Sequence, residues 1–133
     1  MRNWIFVMTG EQEEFVQRLK EKKWPIFNRT NNRNRLKIGD SVIFYMGGKK
    51  GHKFLGTASV SSQLIKTGET SAWVELANAK VWKIPVSIEN IIGDLEFIKN
   101  KMNWGCYLQG GVVQLKEKDF EKIISYFKKS NLL

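Results

Sequence analysis

Residues 41–62, SVIFYMGGKKGHKFLGTASVSS, contain two strand-forming segments separated by a glycine-rich loop. The first segment, 41–46, is mostly apolar, and the second, 54–62, alternates in character and includes β-branched residues. Three glycines predict a hairpin tip between them: Gly47, Gly48 and Gly51. Gly56 within the second segment indicates a bend or a close approach of another backbone. The stretch therefore predicts a pair of neighbouring strands.

Two further strands and two helices are predicted around this hairpin. Residues 4–8, WIFVM, form a short apolar run typical of a buried strand, and residues 72–88 predict another strand with an interruption near Asn78 and Pro85. Amphipathic patterns predict helices over about 11–23 and 116–130, with short helical turns over 87–100. Because no long helix separates the strands, we expect an α+β fold whose mostly antiparallel or mixed sheet curls into a small barrel.

The first helix places one tryptophan at a corner of the chain. Thr9 and Gln12 have the spacing of a capping box at its start. Pro25 is expected to end it, because a residue before proline avoids the helical region. Trp24 would then lie where the helix stops, with its ring facing a cleft rather than the core.

Length and composition indicate one intracellular domain. A chain of 133 residues with 42% hydrophobic residues is long enough for one core, so residues 1–133 are expected to form a single domain. No apolar run approaches the roughly 18 residues that a membrane span requires, and the amino-terminal segment lacks the pattern of a signal peptide. We therefore expect a cytoplasmic protein without a membrane partner, and a monomer.

Positive charge is concentrated in one part of the chain. The net charge is +9, and residues 16–68 carry twelve lysines and arginines against two acidic residues. The rest of the chain is nearly neutral. Such a segment is typical of a surface that binds nucleic-acid phosphates, although a merely soluble basic protein is an alternative reading.

Catalytic and metal chemistry find little support in the sequence. Cys106 is the one cysteine and His52 the one histidine, which excludes the usual zinc ligand sets and an internal disulfide. Neither residue lies in a recognisable nucleophile motif. No catalytic residue, metal or cofactor is predicted.

Four stretches together resemble the EVE domain: WIFVMTGEQE, KKWPIFNRTNNRNRLKIGDSVIFYM, KFLGTASVSS and DLEFIKNKMNWGCYLQGGVVQLKEKDFEKI. The resemblance covers almost the whole chain, and the FIKNK-x-x-W and L-x-x-GD-x-V-x-F-Y stretches are its most specific parts. It implies a PUA-like pseudo-barrel of about six strands, related to YTH and ASCH domains. It also implies a non-enzymatic module that binds a modified base, either a modified cytosine in DNA or a modified RNA base, in an aromatic pocket.

Roles are expected for individual residues, from the resemblance for the base pocket and from the distribution of charge for contacts to phosphates. The base pocket is expected to include Trp24, Trp104, Trp73, Thr9, Gly10 and Pro25. Cationic side chains are expected to contact the nucleic-acid backbone: Arg29, Arg33, Arg35, Lys37, Lys49, Lys50, Lys53, Lys99 and Lys101. Trp24 and Trp73 match cage positions of YTH domains, whereas Trp104 belongs to the stretch particular to EVE domains. Two other functions stay open, an RNA-processing enzyme of the ASCH type and a sensor of a small nucleoside or metabolite.

Overall fold

Strands and helices follow the predicted order, with additional short strands. The computed structural model describes residues 1–27, 30, 32–48, 51–68, 71–109 and 111–131. Its strands are β1 (Asn3–Met8), β2 (Lys23–Pro25), β3 (Ser41–Met46), β4 (Lys53–Val60), β5 (Ile65–Lys66), β6 (Ala72–Ser87) and β7 (Val112–Leu115). The α-helices are α1 (Gln12–Glu21) and α2 (Glu117–Ser130). Short 3₁₀ turns lie at Arg33–Arg35, Ile88–Asn90, Ile92–Asp94 and Lys101–Leu108.

The sheet is mixed and curled. Six strands form a path in the order β2-β6-β4-β3-β1-β7, and β5 pairs with β6 beside that path. The β1–β3 pair is parallel, whereas the other described pairs are antiparallel. This α+β half-barrel confirms the predicted fold class.

Gly56 is where the sheet bends. The β3–β4 pair forms the predicted hairpin, and the pairing between β4 and β6 shifts register on both sides of Gly56. A Cβ atom at Gly56 would lie 2.1 Å from the carbonyl oxygen of Lys80. The close backbone approach predicted for this glycine is confirmed, and it lets the long strand β6 curl over β4.

Alternation along the strands divides the buried side chains between two cores. One core, which we call the inner core, contains Trp4 and Phe6 of β1 and is covered by Phe15 of α1. The other core, which we call the outer core, lies on the opposite side of the sheet and contains Ile5 of β1 and Ile123 of α2. Because successive strand residues face opposite sides, residues on the same face of one strand share a core.

Asp40 joins the amino-terminal segment to the basic stretch. Its carboxylate is buried and accepts hydrogen bonds from the indole of Trp4 at 2.9 Å, the backbone N–H of Arg2 at 3.0 Å and that of Lys37 at 2.9 Å. Burial acts to raise its pKa, but these hydrogen bonds outweigh burial and lower the pKa below the ordinary value.

The start and end of α1 differ from the predictions. The helix begins at Gln12 with Glu11 as its N-cap, so the capping box of Thr9 and Gln12 is not formed. It ends at Glu21, and Lys22 adopts the left-handed conformation with φ 59°, donating its backbone N–H to Arg18 and Leu19 carbonyls. The prediction that Pro25 ends the helix was therefore wrong. Pro25 instead lies in β2, which together with β5 and β7 was not predicted.

Candidate nucleic-acid interface

Trp24 is a core residue, which corrects the prediction that its ring faces a cleft rather than the core. In β2 it lies opposite Val74 of β6, and both side chains point into the inner core. The ring is 2% exposed. Its centroid lies 4.7 Å from that of Phe44, 5.9 Å from Phe6 and 6.3 Å from Phe15. The small part of Trp24 that reaches the surface lines a pocket.

That pocket lies at the seam where the two ends of the strand path meet, and we call it the seam pocket. Its volume is about 290 Å³. Its lining comes from the end of β1, from α1, from β2 with the residues after it, and from the start of β7: Val7, Met8, Thr9, Arg18, Trp24, Pro25, Ile26, Phe27, Thr30, Gly111 and Val112. Asn32 bridges the seam, because its side-chain amide donates to the carbonyl oxygen of Val112 at 3.0 Å. The curling of the sheet therefore creates the pocket.

Arg18 covers the indole of Trp24 within the seam pocket. Its guanidinium carbon lies 4.7 Å from the ring centroid, which is cation–π geometry. The same guanidinium donates to the carboxylate of Glu14, one turn earlier on α1, at 3.1 Å. The Arg18 side chain is 20% exposed. The pocket thus presents a planar cation above an aromatic ring, an arrangement that the sequence analysis did not predict.

Phe27 stands at the rim of the seam pocket and was also not predicted. Phe27 lines the pocket and is 64% exposed. Two backbone hydrogen bonds lie at this position: Ile26 donates its N–H to the Ala72 carbonyl at 2.9 Å, and Thr30 donates its N–H to the Phe27 carbonyl at 3.0 Å. An aromatic residue inside a strongly basic stretch was the signal that could have identified it.

Of the predicted pocket residues, three line the seam pocket together. They are Trp24, Thr9 and Pro25. Gly10 lines a neighbouring hollow beside the hairpin glycines Gly47, Gly48 and Gly51. The predicted floor of the pocket is therefore divided between two adjacent hollows.

The other two predicted tryptophans do not line the seam pocket. Trp73 neighbours inward-pointing Val74 on β6, so its ring lies on the opposite face of the strand, where the Lys23 ammonium is 4.6 Å from its centroid. Trp104 packs against the outer core, with its ring edge-on to His52 at 5.1 Å. Trp24, Trp73 and Trp104 therefore do not form one cage in this structure.

The predicted cationic residues have different surroundings. Lys37, Lys53 and Lys99 are exposed. Arg33 and Lys37 line a groove of about 480 Å³ together with Lys66. Arg29, Lys49 and Lys50 lie outside the described residues.

Arg35 and Lys101 make contacts that support the fold. The guanidinium of Arg35 donates to the side-chain oxygen of Asn32 at 3.1 Å and lies 5.7 Å from the Trp4 ring centroid. The ammonium of Lys101 donates to the backbone carbonyl of Leu95. These two cations hold loops in place, whatever else they contact.

Within the described residues, no group of three or more His, Cys, Asp or Glu side chains is placed to hold a metal ion. Among the helices they form, none has the length and apolar character needed to cross a membrane.

Comparisons with known proteins identify the family. The EVE domain model matches residues 2–126. No curated protein matches the sequence. A hypothetical protein from Leishmania major is similar in structure, with a TM-score of 0.69, 17% identity and coverage of 98% of this chain and 96% of that one.

Two similar structures contain nucleic acid. Human THYN1 in complex with 5-methylcytosine-containing DNA has a TM-score of 0.68 and 10% identity, with 96% of this chain and 98% of that one covered. The YTH domain-containing protein mmi1 in complex with RNA has a TM-score of 0.61 and 14% identity, with 97% and 83% covered. With residues 2–126 matched and this fold shared, the chain belongs to the EVE domain family and has a PUA-like fold.

Proposed function

We propose that this protein is a non-enzymatic module that binds a modified base, flipped out of its stack, in the seam pocket. The observation that carries the proposal is the pocket itself, a hollow beside an indole and a guanidinium. The human EVE-type neighbour in complex with 5-methylcytosine-containing DNA favours a modified cytosine in DNA as the ligand, and a modified RNA base is the alternative. We also propose that residues 1–133 act as one domain, as a monomer in the cytoplasm.

The size and lining of the seam pocket suit a single base. At about 290 Å³ it lies just below the roughly 300–1,000 Å³ found for small-molecule sites. Phe27, Pro25 and Val7 supply apolar surface, whereas Thr9 and Thr30 supply hydroxyl groups that can pair with the polar edge of a base. A flipped base regains from such a site part of the stacking that it loses on leaving its strand.

Arg18 is the group that an entering base meets first at Trp24. The guanidinium occupies the space above the indole where a stacked base would lie. Base stacking on Trp24 would therefore require Arg18 to move off the ring, which would free its guanidinium to contact a phosphate. We expect Arg18→Ala to strengthen binding of the free modified nucleoside, because the competing cation is gone, and to weaken binding of an oligonucleotide, because one cation fewer faces the phosphates.

The basic surface accounts for binding to the nucleic-acid backbone. Lys37 and Lys53 are exposed cations within the strongly basic segment 16–68, and Arg33 lies beside Lys37. Neutralising phosphates releases counterions, so affinity for an oligonucleotide falls steeply as salt rises. A sensor of a free nucleoside would instead bind with little dependence on salt.

The test compares two matched tryptophan variants. Trp24→Phe replaces the indole beside the seam pocket with a smaller phenyl ring. Trp82→Phe makes the same change in the outer core, where the ring centroids of Trp82 and Phe127 are stacked 4.3 Å apart. Fluorescence anisotropy measures the affinity for oligonucleotides with 5-methylcytosine or cytosine at one position, over a series of salt concentrations, and calorimetry measures binding of the free nucleosides.

The proposal expects the unaltered protein to prefer the modified oligonucleotide, with a steep salt dependence. Trp24→Phe should reduce that preference, and Trp82→Phe should leave it unchanged. Equal binding of modified and plain DNA and RNA probes by the unaltered protein would refute the proposal. Tight nucleoside binding that ignores salt would favour the sensor instead.

A further inference from the structure

Phe27 is an exposed aromatic residue with a hydrogen-bonded backbone. Its carbonyl is bonded to Thr30, and the preceding Ile26 is buried and paired to Ala72. The ring therefore projects from a residue whose own carbonyl is hydrogen-bonded and whose predecessor is bonded to β6. An exposed phenylalanine leaves its apolar surface in water unless a partner covers it.

Phe27 also differs from the other exposed apolar residues by its location. The described large apolar residues that are well exposed are Met1, Phe27, Ile38, Val81, Ile84 and Met102. Phe27 is the aromatic member of that set, and it lines the seam pocket. A base bound in the pocket would therefore lie close to Phe27.

We propose that Phe27 enters the DNA duplex and fills the gap left when a modified cytosine is flipped into the seam pocket. This inference rests on the proposed function and adds the state of the DNA that is recognised, a double strand. Flipping a base leaves its neighbours and its former partner unstacked, at a cost of a few kcal/mol. Apolar side chains such as phenylalanine are suited to enter a base step and restore contact with the separated bases.

The pocket that would hold the flipped base and the side chain that would enter the duplex lie next to each other. Phe27 lies three residues after Trp24, and both belong to the lining of the same pocket. The extruded base can therefore sit in the pocket while Phe27 contacts the bases that remain in the duplex. The excess positive charge of segment 16–68 holds the phosphates on either side of the opened step.

The test distinguishes a Phe27 side chain that inserts into the duplex, a wedge, from one that only lines the base pocket. It does so by comparing binding of double-stranded and single-stranded DNA. Phe27→Ala and Phe27→Trp are measured against Ile84→Ala, a control on β6 with another exposed apolar side chain, 43% exposed. The probes are a duplex with one 5-methylcytosine, the same modified strand alone, and the unmodified duplex. A fluorescent base analogue opposite the modified cytosine reports local unstacking.

The inference expects Phe27→Ala to weaken binding of the modified duplex by about 5- to 150-fold, the range that one aromatic stack on a base gives. Binding of the modified single strand should change by less than about twofold, because no gap needs filling. Phe27→Trp should keep duplex binding, and Ile84→Ala should behave like the unaltered protein. Thermal unfolding of each variant should match the unaltered protein, since both side chains are exposed.

Other outcomes would overturn the inference in distinguishable ways. Equal losses on duplex and single strand would make Phe27 a wall of the base pocket. Unchanged binding of both would make it an ordinary surface residue. A preference of the unaltered protein for the modified single strand over the modified duplex would keep the proposed function but remove the wedge. No preference for the modification in any probe would refute the proposed function itself.

Discussion

Replacing Trp24 with alanine should destabilise the protein strongly. The ring is 2% exposed and lies within 4.7–6.3 Å, centroid to centroid, of three phenylalanine rings. Truncation of a buried aromatic residue to alanine costs about 3–5 kcal/mol, from the transfer energy of the removed atoms and from the cavity left behind. The tilted and edge-on packing against Phe6, Phe15 and Phe44 places Trp24→Ala in the upper part of that range.

A loss of that size matters for a small domain. The free energy of unfolding of such proteins is typically about 5–15 kcal/mol, so the variant would keep only a fraction of its stability. Trp24→Phe should cost less, because most of the aromatic packing against Phe44 is kept. This is why the phenylalanine variant, and not the alanine variant, suits the binding test.

Urea unfolding followed by tryptophan fluorescence and by circular dichroism measures the effect. The midpoint should fall while the dependence on urea stays the same, because the surface exposed on unfolding hardly changes. A loss below about 1 kcal/mol would refute the reasoning. It would mean that the Trp24 ring is not part of the inner core and that the seam pocket opens onto its full face.

Three further substitutions test the fold and the charged surface. Asp40→Asn should cost about 1.5–3 kcal/mol at neutral pH, because the charge-assisted hydrogen bonds are removed. Because the pKa of Asp40 is lowered in the folded protein, its contribution to the free energy of unfolding is full above the unfolded pKa near 3.8 and is lost as the pH falls below that value. Urea unfolding of the unaltered protein and of Asp40→Asn from pH 2 to 7 measures this loss. A difference in stability between the two that is the same at pH 2 as at pH 7 would contradict it. Gly56→Ala should lower the free energy of unfolding by more than about 2 kcal/mol, as measured by thermal and urea unfolding. The new Cβ would lie 2.1 Å from the backbone carbonyl oxygen of Lys80, so the backbone of the paired strand would have to move. The double variant Arg33→Ala, Lys37→Ala should weaken binding of modified and plain oligonucleotides alike. It should also reduce the slope of log affinity against log salt concentration by about 0.9 for each duplex phosphate that is no longer neutralised, with Lys128→Ala on α2 as control. An unchanged slope would show that the groove lined by Arg33 and Lys37 binds no phosphate.

Local patterns in the sequence were sufficient for the longer elements. The apolar runs of β1 and β3 and the amphipathic pattern of α2 are long enough for their periodicity to be recognised. Gly56 was identified as a close approach because a glycine inside a strand usually marks a bulge, a bend or a neighbouring backbone. The basic segment and the EVE motifs are likewise linear features, and the family match over residues 2–126 confirmed the resemblance.

Short elements were missed because pairing, not composition, defines them. β2 spans three residues and β7 four, too few to show a period. The register of β2 against β6 places Trp24 opposite Val74 and therefore in the core. The same alternation places Trp73 on the other face, so two tryptophans that were predicted to share one cage are separated by a strand.

The sequence by itself determined the family, the longer strands and helices and the location of the positive charge, because each depends on residues close together in the chain. The tertiary structure alone decided where a base could enter. The seam pocket exists because the curled sheet brings β2 and β7, which are far apart in the sequence, next to the end of β1. Arg18 and Phe27 become pocket residues through that closure, since the meeting of distant segments depends on how the whole sheet twists and packs.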